Sequence, residues 1–248
     1  MARFRISEAV PIDKSDPLVT LELCGGYYEC PKDKEGNRRG PLVGYAGTYR
    51  GNDGHTSNFV GEVYFNFAKV EEVPHALAWF AAELGINIRV ACPGVDHVLA
   101  APMGGVALGS WVAAGLDVRF GFAEKKVVEL PTATSRGKSI LVLDRHEIAP
   151  DSWVAISEDV TNNFSTTAEL VGLVEKAGAR VGVIATAFNR SELTEWNGIP
   201  VVSVARIPTR QYRQDDPYVI ADVETLNVVM KPKDSWSLLM EAMGRNRQ

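Results

Sequence analysis

From residue 73 onward the apolar positions of the chain switch repeatedly between a helical period and short continuous runs. Val73-Pro74 opens a stretch in which Leu77, Phe80, Ala81 and Leu84 recur at helical spacing up to Gly85, with proline at a tolerated first position. His97 to Ala101 is then a short apolar run of strand length, and the turn Pro102-Met103-Gly104-Gly105 separates it from a helical pattern over Val106 to Ala114. Asp117 to Phe122 and Ser139 to Leu143 read as further strands. Val154, Ala155 and Ile156 form the kind of apolar run shown by a buried parallel strand, and Leu170, Val171, Val174 and Ala177 return to helical spacing up to Gly178. Arg180 to Phe188 is again a strand. Strands and helices that alternate in this way predict an α/β fold, a parallel sheet flanked by helices on both faces. Ligands of such sheets bind at the loops after the carboxyl ends of the strands.

Residues 1 to 70 follow a different pattern. Turns and aromatics dominate, with Gly25-Gly26-Tyr27-Tyr28 followed by a charged stretch, Lys32 to Arg39, that reads as a solvated hairpin tip. Val60 to Phe67 alternates imperfectly, as a strand does. The expected organisation is therefore an amino-terminal segment over 1–70, a core over 71–205 and a carboxyl-terminal extension over 206–248.

Composition narrows the possible functions. A net charge of -5 argues against a general nucleic-acid surface, so an anionic substrate needs a local site. No apolar stretch approaches the ~20 residues of a membrane helix, and the amino terminus lacks a signal-peptide core, so the expected location is cytoplasmic, with no membrane partner. Cys24, Cys30 and Cys92 are odd in number and lack paired spacing, which reads as free thiols and no protein-held structural metal.

The chemistry concentrates in Trp153 to Gly178. Glu158 and Asp159 leave the strand at its carboxyl end, and Asn162, Asn163, Ser165, Thr166 and Thr167 crowd the turn where the next helix starts, with Thr161 beside them as a further binding candidate. Helix starts present unpaired N–H groups and a positive dipole end, so acids beside such a turn suit a sugar phosphate: acceptors for hydroxyls, donors for phosphate. The same residues would equally serve as a helix cap beside two solvated acids.

The order apolar strand, acid-acid-Val, then small polar residues into a helix resembles the phosphoribosyl pyrophosphate (PRPP) motif of the type I phosphoribosyltransferases, and in particular the orotate enzymes. The resemblance implies that Glu158 and Asp159 bind the ribose hydroxyls and that the turn through Thr166 cradles the 5-phosphate. It also implies that Met103, Gly104 and Gly105 form a pyrophosphate loop, that Lys125 closes a strand beside the leaving group, and that Arg136 and Lys138 lie on a basic flap. Gly25 to Glu29 and Tyr64 to Asn66 are similar to segments of a small amino-terminal hood, which makes Tyr28, Tyr64 and Phe65 base-binding candidates. Lys32 or Arg38 would supply a cation for an anionic base.

The reaction implied is displacement of pyrophosphate from PRPP by a nucleobase, orotate ahead of purines, with Mg2+ as cofactor and a homodimer as the working form. The alternative is a PRPP-binding regulator without turnover. One departure stands out. The family's phosphate loop is Thr-Thr-Gly-Gly-Thr, whereas this chain has Asn162-Asn163-Phe164-Ser165-Thr166, with phenylalanine where glycine would reach positive φ without strain.

Overall fold

A computed structural model describes residues 10–51, 54–129 and 138–244. In chain order the first elements are α1 (Pro17–Leu23), β1 (Tyr27–Glu29), β2 (Leu42–Arg50), β3 (Thr56–Gly61), β4 (Val63–Phe65) and the single turn α2 (Ala68–Glu71). Then come α3 (Pro74–Ala91), β5 (His97–Ala100), α4 (Gly104–Leu116), β6 (Arg119–Phe122), and the hairpin of β7 (Glu124–Glu129) and β8 (Lys138–Val142). The chain continues through β9 (Trp153–Thr161), α5 (Ser165–Lys176), β10 (Arg180–Asn189), β11 (Glu195–Trp196) and β12 (Ile199–Arg206). It closes with α6 (Ile220–Glu224), β13 (Val228–Val229) and α7 (Trp236–Ala242). Among the described residues no helix is long and apolar enough to cross a membrane.

The chain divides into two compact units. One comprises the residues up to Thr20 with Val70–Pro208, the other Leu21–Lys69 with the residues from Thr209 onward. The larger unit holds a six-stranded sheet in the order β11-β12-β10-β9-β5-β6, parallel except for β11 at its edge. Its central strands β5 and β9 are buried on both faces, which explains their unbroken apolar runs. Leu99, Val154 and Ile156 form a core with Leu170 and Val174 of α5.

Three boundaries differ from the pattern of the sequence. The α3 helix runs past Gly85 to Ala91, burying Ile88 as well, and Arg89 near its end donates to the carbonyl of Leu116 at 2.7 Å. Gly85 does not stop the helix because it lies at the packing face, where a Cβ would sit 3.6 Å from Leu116. Asp117 belongs to the end of α4, in the left-handed conformation with φ 54°, so β6 starts only at Arg119. The strand expected over 60–67 is split at Glu62 into β3 and β4.

In the smaller unit β13, β2 and β3 form one sheet and β1 pairs with β4. The residues from 209 onward are thus integral to it: Val228 and Val229 extend the sheet edge beside Leu42 and Val43, and Trp236 and Leu239 pack on Tyr28 and Tyr45.

Candidate active site

The site begins where β5 ends. Ala101 N donates to Ser157 O at 2.9 Å, so the turn of residues 101–105 starts against β9, and Gly105 N then closes the turn on Ala101 O at 3.1 Å. A side chain at Gly104 would overlap the carboxylate of Asp159, and one at Gly105 would overlap Ser157 O. Gly105 is therefore required for α4 to start in contact with β9, and the bare backbone at Gly104 lets the Asp159 carboxylate lie on the turn. Met103 is 79 % exposed and leaves the turn open to solvent.

Glu158 and Asp159 are still inside β9, which continues to Thr161. Successive strand residues face opposite sides of a sheet, and the two acids do so: Asp159 lies on Gly104 at the start of α4, while the Glu158 carboxylate accepts a hydrogen bond from Thr167 Oγ1 of α5. Burial pushes the Glu158 carboxyl up to about 7, with the neighbouring Asp159 charge acting the same way and the Thr167 bond opposing it. Near neutral pH Glu158 is therefore only partly ionised.

The second turn runs from Thr161 into α5. Exposure alternates through it: Asn163 and Ser165 are exposed, Phe164 and Thr167 buried. Phe164 adopts φ 57° and ψ 17°, the left-handed conformation that glycine would occupy. Its ring is 4 % exposed, lies with Ile184 and Val201, and stacks on Trp196 at 5.9 Å between centroids with 14° between planes. A left-handed non-glycine residue costs ~1–2 kcal/mol. Burying a phenylalanine side chain is worth ~1.5–3 kcal/mol, so burial carries the unusual dihedral. The Asn163 carboxamide oxygen accepts from Ser165 N at 3.3 Å and Ser165 Oγ at 3.0 Å. Thr161 is buried at the end of β9, and its Oγ1 has no hydrogen-bond partner among the described residues.

Other expected site residues fall in several places. Lys125 is exposed near the start of β7, which follows Ala123, whose N–H donates to Ala100 O at 3.2 Å beside the first turn. Lys138 opens β8 opposite Glu129, and Arg136 lies outside the described residues. Tyr28, Tyr64 and Phe65 belong to the smaller unit. There Tyr28 is fully buried and donates its hydroxyl to Pro41 O at 2.6 Å, Phe65 is 4 % exposed, and Tyr64 packs on Trp236. The burial of Tyr28 and Phe65 leaves neither ring open for stacking on a base. Lys32 and Arg38 are also committed: both pair with Glu62 at 3.0 and 2.7 Å, and Arg38 pairs with Asp222 at 2.8 Å and lies over the Tyr218 ring.

A residue the sequence pattern does not single out joins the group. Arg190 follows β10, is 5 % exposed, and its backbone N–H donates to Thr161 O at 2.8 Å, at the edge of the second turn. Its signal in the sequence is position: a cation immediately after a core parallel strand, where such sheets bind ligands.

Two helix-start turns and a carboxylate thus lie at the carboxyl edge of a parallel sheet, the place where α/β sheets bind ligands. No protein-family model matches the chain. The orotate phosphoribosyltransferase of Chlorobaculum parvum is 32% identical over 142 residues, 56% of this chain and 67% of that protein. That of Nitratiruptor sp. is 31% identical over 149 residues, 60% of this chain and 69% of the relative. A crystal structure of orotate phosphoribosyltransferase from Aeropyrum pernix superposes with a TM-score of 0.47 at 18% identity, covering 74% of this chain and 92% of that one. The chain belongs to the type I phosphoribosyltransferase family and is a phosphoribosyltransferase.

Proposed function

We propose that the enzyme joins orotate to the ribose of PRPP: the bond from C1 to the pyrophosphate oxygen breaks, a bond from C1 to a ring nitrogen forms as that nitrogen gives up its proton to solvent, and pyrophosphate leaves. The observation that carries this reading is the Asp159 carboxylate held on the Gly104 turn, one acceptor for ribose hydroxyls beside one cradle for a diphosphate. The 5-phosphate would then take the N–H groups of the turn from Asn162 to Thr166. Glu158 acts by holding α5 through Thr167 and thereby placing that turn.

Lys125, with Arg136 and Lys138 of the flap, neutralises charge that develops on the departing pyrophosphate. Asp159 beside a diphosphate cradle fits a hard cation that keeps most of its waters and enters on the phosphate oxygens, as Mg2+ does; bound there, it would offset pyrophosphate charge. Orotate is favoured by the sequence relatives. A homodimer is supported by the apolar groove of about 790 Å³ between α3 and α4, where Ile86, Val90 and Trp111 are exposed.

Calorimetric titration of PRPP with Mg2+ should show binding that Asp159→Asn weakens by about tenfold or more without loss of folding, as removal of a charge-assisted acceptor requires. Pyrophosphate release should follow with orotate in a panel that includes uracil, adenine and hypoxanthine. Unchanged affinity in Asp159→Asn would remove the ribose assignment, and turnover confined to a purine would remove orotate. Mixing inactive Lys138→Ala and Asp159→Asn chains tests the dimer: activity should return if the flap completes a neighbour's site.

A further inference from the structure

Phe164 stands at the N-cap of α5 where free backbone rotation would otherwise set the shape of the phosphate turn, and its ring points away from the exposed residues Asn163 and Ser165 on either side. The ring lies on Trp196 over the floor formed by Ile184 and Val201. Trp196 is itself held in the tightest connection of the sheet. It pairs with Ile199 across the two-residue turn Asn197-Gly198, whose φ values of 50° and 80° are those of a hairpin turn matched to strand twist. The first α5 hydrogen bond, Ala168 N to Phe164 O at 2.9 Å, starts from the same residue. One residue thus fixes the dihedral of the turn, the first bond of the helix and the inward anchor.

We propose that Phe164 is a positioning residue for the donor's 5-phosphate and that Trp196 is its platform, a device by which this chain holds with an aromatic clasp the turn geometry that glycine permits elsewhere. The inference rests on the reading of this turn as the 5-phosphate site. Glycine accommodates φ 57° without strain but also samples many other conformations, so a glycine turn has to be ordered when ligand arrives. The stacked ring orders it beforehand, and pre-organisation shows in affinity for the phosphate-bearing substrate. Trp196 contacts no part of the proposed substrate site through any described hydrogen bond, and its effect on PRPP would pass through Phe164.

The experiment compares Trp196→Ala, Trp196→Phe and Phe164→Gly with the unaltered enzyme, measuring KM for PRPP, kcat at saturating PRPP and thermal unfolding. Trp196→Ala should raise KM for PRPP about tenfold with kcat changed less than about twofold, the pattern of lost binding without lost chemistry. Trp196→Phe, which keeps a stacking ring, should recover most of the affinity. Phe164→Gly should raise KM for PRPP similarly although its backbone tolerates the dihedral, and it decides the matter if Trp196→Ala does not fold. Unchanged KM for PRPP in Phe164→Gly, or a loss confined to kcat in both aromatic deletions, overturns the clasp. Failure of the unaltered enzyme to bind or turn over PRPP would instead overturn the reading of the turn on which the clasp depends.

Discussion

The two turns that flank Asp159 reach similar ends by opposite means. At residues 101–105 the backbone comes close to β9 because side chains are missing, and any Cβ at Gly104 or Gly105 would overlap Asp159 or Ser157. At residues 161–167 the backbone is held because a side chain is present, the Phe164 ring buried under the turn. The first turn is limited by sterics at short range, the second by packing at longer range. A glycine-rich loop and an aromatic-anchored loop are therefore two ways to fix the start of a helix, and they fail differently. The first should respond sharply to the smallest added group, the second in proportion to the apolar area removed.

The largest effect is expected from Gly105→Ala. The added methyl would overlap a backbone oxygen, which cannot swing aside as a side-chain end can, so α4 must move away from β9. A displacement of about 1 Å at a substrate-positioning turn costs on the order of a hundredfold in rate, and kcat/KM for PRPP should fall by about that much. Gly172→Ala in α5 is the control, because a Cβ there meets nothing within 4 Å. It should leave kinetics unchanged and stabilise by ~0.5–1 kcal/mol, the difference between alanine and glycine inside a helix. Equal kinetic losses in the two variants would show that the close approach at residue 105 is not what the first turn depends on.

A smaller effect separates the faces of β9. Glu158, on the α5 face, has its carboxyl raised from 4.5 to about 7 by burial, so the folded state holds a proton that the unfolded chain has lost. Stability should therefore fall as pH rises between about 4.5 and 7 and level off above that range. At about 1.4 kcal/mol per pH unit the whole change is of order 3 kcal/mol. Glu158→Gln keeps an acceptor for Thr167 and should flatten this part of the profile of unfolding temperature against pH. A slope unchanged by the substitution would assign the titration to another group.

Much of the core was legible in the sequence because burial on both faces of a parallel sheet writes itself as unbroken apolar runs. The same pattern located the Gly104-Gly105 turn and the acids of β9. The divergence of Glu158 and Asp159 was also written there, since adjacent residues in a strand must face opposite sides; it is obscured if the strand is ended at Ile156, before the polar residues that β9 carries to Thr161. Trp196 has its own signal, the Trp-Asn-Gly-Ile hairpin pattern, but its meaning appears only once β12 brings that hairpin beneath Phe164. Tyr28 could not be placed by local pattern. Its burial depends on Trp236 and Leu239, more than two hundred residues away in sequence.

The smallest expected effect distinguishes a turn that is empty from one that is internally occupied. Asn163 Oδ1 accepts from Ser165 N and from Ser165 Oγ, two donors at the start of α5 that a phosphate would also use. The carboxamide therefore stabilises the free turn and competes with ligand. Asn163→Ala should cost the free enzyme ~0.5–1 kcal/mol, the ordinary net worth of an intramolecular hydrogen bond. The released donors should in turn tighten inorganic phosphate or PRPP by up to about fivefold, the same free energy appearing with opposite sign. Because the Phe164 ring holds the turn from below, loss of the carboxamide need not disorder it, and this is where the aromatic clasp and the competition meet. In a Trp196→Ala background the clasp is gone, so Asn163→Ala should there weaken binding. Additive effects of the two substitutions in a double-mutant cycle, measured by calorimetry, would show that carboxamide and ring act on the turn independently.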